Sequence, residues 1–176
     1  KWNKNLVLFF LSHLIFNMKY SDIDFNSKTI LVTGGAGFIG SNIALYLEKN
    51  YPFANVVVFD SFRSEKKFNN GNLTSFGHYK NLIKFSGDIV CGNINNLNDV
   101  SKLKKYNFDY IFHLAAISDT RLYDQEIIIR TNVNSFYDIL EIAKKDNATI
   151  VYASSAAVYG DASSPQIVGD ENPENP

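Results

Sequence analysis

Thr29-Ile30-Leu31-Val32-Thr33 passes without a break into Gly34-Gly35-Ala36-Gly37-Phe38-Ile39-Gly40 and then into Ser41-Asn42-Ile43-Ala44-Leu45-Tyr46-Leu47. The first stretch is β-branched and apolar, the last has helical period, and the glycines fall at the turn between them. Each glycine has a physical task there. One permits the tight turn, one lets the backbone approach a pyrophosphate, and Gly40 removes a side chain where helix and strand pack closely. The helix then presents unpaired N–H groups and a partial positive charge to an anion. Strand, glycines and helix in this order predict a dinucleotide-binding turn.

The next apolar run, Val56-Val57-Val58-Phe59, ends in Asp60, twenty residues after Gly40. A carboxylate at that place can accept hydrogen bonds from adenosine ribose hydroxyls, which favours NAD. Ser61, Arg63, Lys66 and Lys67 follow at once, and cations there accommodate a ribose 2′-phosphate, which favours NADP. A solvated basic loop is the plain alternative for those cations.

Farther out, short strand-like runs alternate with helical periods. Strands are expected at Thr29–Thr33, Asn55–Asp60, Ile83–Ser86 or a slightly later run, Tyr110–Leu114 and Thr149–Ala153. Helices are expected at Phe38–Lys49, carrying Ile39, Ile43, Leu45 and Leu47, and at Leu97–Lys105, carrying Val100 and Leu103. A third is expected at Gln125–Lys145, carrying Ile128, Val133, Phe136, Leu140 and Ala143. The strands are apolar throughout, as strands covered on both faces are. The fold class is therefore α/β, a Rossmann-type doubly wound parallel sheet with helices on both faces. Residues 61–81 form a polar connection longer than such a fold needs, and long ordered connections often serve binding.

Composition narrows the rest. The 176 residues suit one domain of ordinary size. With 45% hydrophobic and 20% charged residues the chain can bury a core. A formal net charge of −1 leaves no cationic excess for nucleic acid. Cys91 is the one cysteine, so no intrachain disulfide forms, and His13, His78 and His113 are too scattered for a zinc site. The reading is a cytoplasmic protein without a metal. The apolar segment Leu6–Phe16 is about half a membrane span and lacks a small-x-small cleavage site. Residues 1–17 read as an upstream extension, with Met18 the expected start, 18–160 the NAD(P)-binding domain and 161–176 a truncated connection.

Five landmarks in order resemble the extended short-chain dehydrogenase/reductases, in particular nucleotide-sugar epimerases and dehydratases. They are Thr33–Gly40, Asp60, His113-Leu114-Ala115-Ala116, Asn132, and Ser154-Ser155-Ala156-Ala157-Val158-Tyr159-Gly160. Asn70-Gly71-Asn72-Leu73, Ala116-Ile117-Ser118-Asp119-Thr120 and Tyr152–Ala156 are most similar to the ADP-L-glycero-D-manno-heptose 6-epimerase family. The resemblance spans about residues 19–176. It implies Gly34, Gly37, Phe38, Ile39 and Gly40 at the pyrophosphate and Asp60 and Ser61 at the ribose. Arg63 and Lys67 then stand near a 2′-phosphate, with Lys80 as a second cation. Leu114, Ala115, Ala116, Ile117 and Ser118 would lie along the coenzyme, with Asn132 reaching it from the long helix. The adenine contact falls on Asn93 and Ile94, with Gly87-Asp88-Ile89 as a rival placement. Ser118, Thr120 and Ser155 would meet the sugar, and Ser155 is the implied catalytic serine beside the family's tyrosine. The implied coenzyme is NADP, with NAD the alternative. The implied substrate is a nucleotide sugar, ADP-heptose favoured, handled by a homo-oligomer whose long helix, residues 125–145, serves assembly.

The family's hydride chemistry needs a Tyr with a Lys four residues later, so that the cation lowers the phenol pKa. None of the ten tyrosines has one: Tyr46 is followed there by Asn50, Tyr79 by Ile83, Tyr137 by Glu141, Tyr152 by Ala156 and Tyr159 by Ser163. The family places that pair just after the segment that here reads Glu171–Pro176. The expectation is an N-terminal portion of an epimerase, inactive by itself and weak in coenzyme binding. The alternatives are a UDP-sugar 4-epimerase, a nucleotide-sugar 4,6-dehydratase, or a non-catalytic dinucleotide-binding module.

Overall fold

The computed structural model describes residues 22–155. The expectations for residues 1–17, for the start at Met18 and for the segment beyond Ser155 lie outside those residues. Five parallel strands, β1 (Thr29–Thr33), β2 (Asn55–Asp60), β3 (Asp88–Cys91), β4 (Tyr110–His113) and β5 (Thr149–Tyr152), stand in the order β3-β2-β1-β4-β5. The chain reverses its direction of travel across the sheet between β1 and β4, which opens a crevice at the carboxyl ends of those strands.

Alternation along the central strands builds both cores. Ile30 and Val32 of β1 join Val56 and Val58 of β2 on one face, where α1 (Phe38–Asn50) contributes Ala44 and Leu47. Leu31, Val57 and Phe59 turn to the other face and meet Val100, Leu103, Ile111, Ile139 and Ile142. Each such side chain fully buried contributes ~1.5–3 kcal/mol. Register is pinned at the amino end, where the Asp109 carboxylate accepts from the Thr29 N–H at 2.9 Å and from Lys28 Nζ at 3.1 Å.

The third strand begins later than Ile83. Tyr79–Leu82 is a 3-10 turn that buries Leu82, and Phe85 joins the first core while Ile83 is exposed, so the apolar spacing there served a turn. The expected second helix is α2 (Leu97–Ser101) followed by a 3-10 turn at Lys102–Lys105. The expected long helix is three pieces: α3 (Gln125–Ile129), a π turn at Arg130–Asn134 and α4 (Ser135–Asp146). Its buried face is Thr131, Ser135, Ile139, Ile142 and Ala143, whereas Val133 and Leu140 are exposed. A π turn inserts one residue and rotates the helix beyond it, so a constant helical period misplaces Val133 and Leu140, while Phe136 and Ala143 do pack on the second core.

Candidate functional site

The glycine turn lies at the crevice. Gly34 has φ of +65°, and a Cβ on it would stand 2.8 Å from the Ala115 backbone nitrogen. A Cβ on Gly40 would collide with the Gly34 carbonyl oxygen. Gly37 is the N-cap of α1 and supplies no side-chain cap, while Phe38 and Ile39 in the first turn are 83% and 60% exposed. An uncapped helix start facing solvent suits a phosphate, so these residues fit the pyrophosphate of a dinucleotide.

Asp60 is 7% exposed and does more than wait for a ribose. Its Oδ2 accepts from the Ala36 N–H at 2.9 Å and its Oδ1 from the Phe62 N–H at 2.8 Å. The Ala36 carbonyl in turn accepts from the His78 N–H at 2.9 Å and from Asn81 Nδ2 at 2.8 Å. Both polar groups of the Ala36 peptide are thus held, one by β2 and the other by the far end of the 61–81 connection. Gly77 packs directly against this carboxylate, where a Cβ would collide with Oδ1.

Arg63 and Lys67 line one hollow of about 720 Å³ together with Ser64, Glu65 and Leu73. Ser61 is exposed beside Asp60. Lys80 lines a separate hollow with Leu45, Asn81, Ile83 and Lys84, so the structure does not bring it together with Arg63 and Lys67. Within the connection, Phe68 N–H bonds Asn72 O at 2.8 Å, Thr74 N–H bonds Lys66 O at 3.0 Å, and Lys67 bridges Leu73. Residues 66–74 are therefore a hairpin, with Gly71 at its tip.

At the end of β4, Thr33 Oγ1 accepts from the N–H groups of Leu114 and Ala115 at 3.1 and 3.2 Å. Its lone pairs are then filled, so its proton points to His113 Nδ1 at 2.9 Å. His113 is held neutral with its proton on Nε2, and burial lowers its pKa from 6.5 to about 4. Asn132, inside the π turn, donates Nδ2 to Ile117 O at 2.9 Å and accepts the Ile117 N–H on Oδ1 at 2.8 Å. In this structure Asn132 therefore reaches the strand-end segment and fixes it. Ala116, Ser118 and Thr120 are exposed along that segment.

Asn93 is exposed, with Oδ1 accepting from the Asn95 N–H at 2.9 Å. Ile94 turns its side chain into the second core, leaving only its backbone for a ligand. Asp88 opens β3 and so lies at the opposite edge of the sheet from the glycine turn, bonded to Tyr106 OH at 2.8 Å; the rival adenine placement falls. Ser155 is exposed three residues beyond β5, next to the strand end that carries Leu114–Ser118. No three or more His, Cys, Asp or Glu side chains are grouped to hold a metal ion among the described residues. No described helix is long and apolar enough to cross a membrane.

Sequence reasoning missed Asn81, Asn95 and the pairing of Asn70 and Asn72 with Asp119. Asn95 Nδ2 donates to Thr131 Oγ1 at 2.8 Å and ties the connection after β3 to the π turn. No local pattern marks such residues, because their partners are distant in sequence.

Residues 30–176 match the model of the NAD dependent epimerase/dehydratase family. The chain is 37% identical over 131 residues to an ADP-L-glycero-D-manno-heptose-6-epimerase of Brachyspira hyodysenteriae, covering 74% of this chain and 38% of that protein. It is similar to the crystal structure of the Helicobacter pylori ADP-L-glycero-D-manno-heptose-6-epimerase, with a TM-score of 0.75 and 48% identity over 90% of this chain and 48% of that one. A dTDP-glucose 4,6-dehydratase of Bacillus anthracis in complex with NAD matches with a TM-score of 0.63 and 25% identity, over 85% of this chain and 44% of that one. The chain thus spans about two fifths to one half of the length of these relatives.

Proposed function

The chain belongs to the NAD dependent epimerase/dehydratase family, and we propose on that premise that it forms the coenzyme-binding part of an ADP-glyceromanno-heptose 6-epimerase that uses NADP. The observation that carries the substrate is the 48% identity to the Helicobacter pylori 6-epimerase across nine tenths of the chain. The hollow lined by Arg63 and Lys67 supports NADP, since two cations there can neutralise a ribose 2′-phosphate. Residues 18–160 are the proposed domain.

The bound nicotinamide would supply reversible hydride acceptance, so that no coenzyme is consumed over a full inversion at C6. This chain's own residues bind and orient. The first turn of α1 holds the pyrophosphate, Asp60 and Ser61 the ribose, and the backbone near Asn93 and Ile94 the adenine. The segment Leu114–Ser118, locked by Thr33 and Asn132, would lie along the coenzyme. Ser118, Thr120 and Ser155 are hydroxyl donors for sugar oxygens, Ser155 beside the reacting one. The phenol that exchanges a proton requires a Tyr and a Lys four residues apart, a pair that the 176 residues do not contain.

We place the enzyme in the cytoplasm and its oligomer contact on the exposed apolar stripe Ile129, Val133, Tyr137 and Leu140 of α3 and α4. The test is direct: full-length protein supplied with the ADP-heptose should yield the 6-epimer, followed by chromatography of the sugar nucleotides. Turnover of UDP-galactose with none of ADP-heptose overturns the substrate. The 176-residue polypeptide alone should give no epimer.

A further inference from the structure

Two motifs of the sequence, Asn70-Gly71-Asn72 and Ser118-Asp119-Thr120, lie far apart in the chain, yet the fold joins them. Asp119 Oδ2 accepts from Asn70 Nδ2 at 3.0 Å and from Asn72 Nδ2. Its Oδ1 accepts from the Arg121 N–H at 3.0 Å, and Asn70 Nδ2 also reaches the Arg121 carbonyl at 3.3 Å. The Asp119 side chain is only 8% exposed. These donors hold its carboxyl well below the usual carboxylate range, at about 2, so the clasp stays charged at any working pH.

The clasp joins the connection after β2 to the connection after β4, the two strands that flank β1. The hairpin it grips begins from Lys66 and Lys67 and shares its hollow with Arg63. The partner connection carries Ser118 and Thr120. A lysine on an exposed hairpin has a costly choice of positions, and gripping the hairpin tip removes most of that freedom before a ligand arrives.

We propose that Asp119 is a positioning residue for coenzyme selection: by gripping Asn70 and Asn72 it holds the 66–74 hairpin where Lys67, with Arg63, meets a phosphate on the adenosine ribose. This rests on the coenzyme reading of the crevice. Asp119 touches no reacting atom. Its effect falls on the 2′-phosphate and leaves the pyrophosphate and ribose contacts of the glycine turn and Asp60 in place.

The experiment is titration of full-length protein with NADP and with NAD, read by isothermal titration calorimetry, for the parent and for Asp119→Ala. The NADP dissociation constant should rise about tenfold and that for NAD less than twofold. Should Asp119→Ala fail to fold, the reciprocal swap Asn72→Asp with Asp119→Asn restores one amide-to-carboxylate pair and should bind NADP within threefold of the parent. Unchanged NADP binding in Asp119→Ala overturns the proposal, as does an equal loss for both coenzymes or a parent that does not prefer NADP. A parent that binds neither dinucleotide removes the coenzyme reading itself, and does so before any variant is made.

Discussion

His113 sits neutral at the end of β4, its Nδ1 receiving the Thr33 hydroxyl proton. Its folded pKa of about 4 lies below the ordinary 6.5, so between those values the unfolded chain binds a proton that the folded one refuses. Stability therefore falls as pH drops from about 6.5 to about 4, by at most roughly 3 kcal/mol at 1.36 kcal/mol per pK unit. Above that window His113 contributes no penalty, and below it the loss is complete. Asp99, Asp109 and Asp119 have lowered pKa values, so their contributions are intact above about pH 5 and decline as pH falls below it. Urea unfolding at intervals between pH 4 and 7 should show the slope, and His113→Gln should flatten it. The fate of Asp60 is equally local. Its place at the end of β2 was legible from spacing alone, but its bond to the Ala36 N–H was not, because the hydrogen-bonding partner is set by the turn's three-dimensional course.

The π turn at Arg130–Asn134 gives an element-level reason for the geometry of the strand-end segment. It places Asn132 where its amide closes two bonds on Ile117 while Thr131 and Ser135 stay buried. Asn132→Ala should leave the Ile117 N–H and carbonyl without that partner, costing ~1–3 kcal/mol for groups so stranded. Hydrogen exchange should then speed at Ile117 and hardly change at Leu31 in the centre of the sheet. β1, β2, β4 and β5 were legible to within a residue because uninterrupted β-branched runs have few other uses. β3 was legible only as the later of two placements, since Leu82 and Phe85 are buried from a tight turn and mimic a strand's apolar spacing. The break in the long helix was hidden for a similar reason: Gln125–Lys145 carries two apolar stripes, and only the packed structure decides which one faces the sheet.

At the scale of the whole molecule, the stripe Ile129, Val133, Tyr137 and Leu140 and the β5 residues Val151 and Tyr152 are all exposed in the described residues. Apolar surface of this extent and a strand at the end of a sheet both invite a partner. The 176-residue polypeptide should sediment as dimers or larger species at tens of micromolar, and Val133→Lys with Leu140→Lys should shift it toward monomer. A monomeric parent polypeptide removes that contact from the assembly. The strand order also sets a timetable. β1 is in the middle of the sheet, yet Thr33 and its neighbour His113 on β4 are 80 residues apart in the chain. A ribosome adding ~5–20 residues per second needs roughly 4–16 seconds to cover that interval. For that time the nascent chain displays one open side of its central strand. Conditions that slow translation between Asp60 and Tyr110 lengthen the exposure, and the yield of native protein depends on how well the cell shields the chain during it.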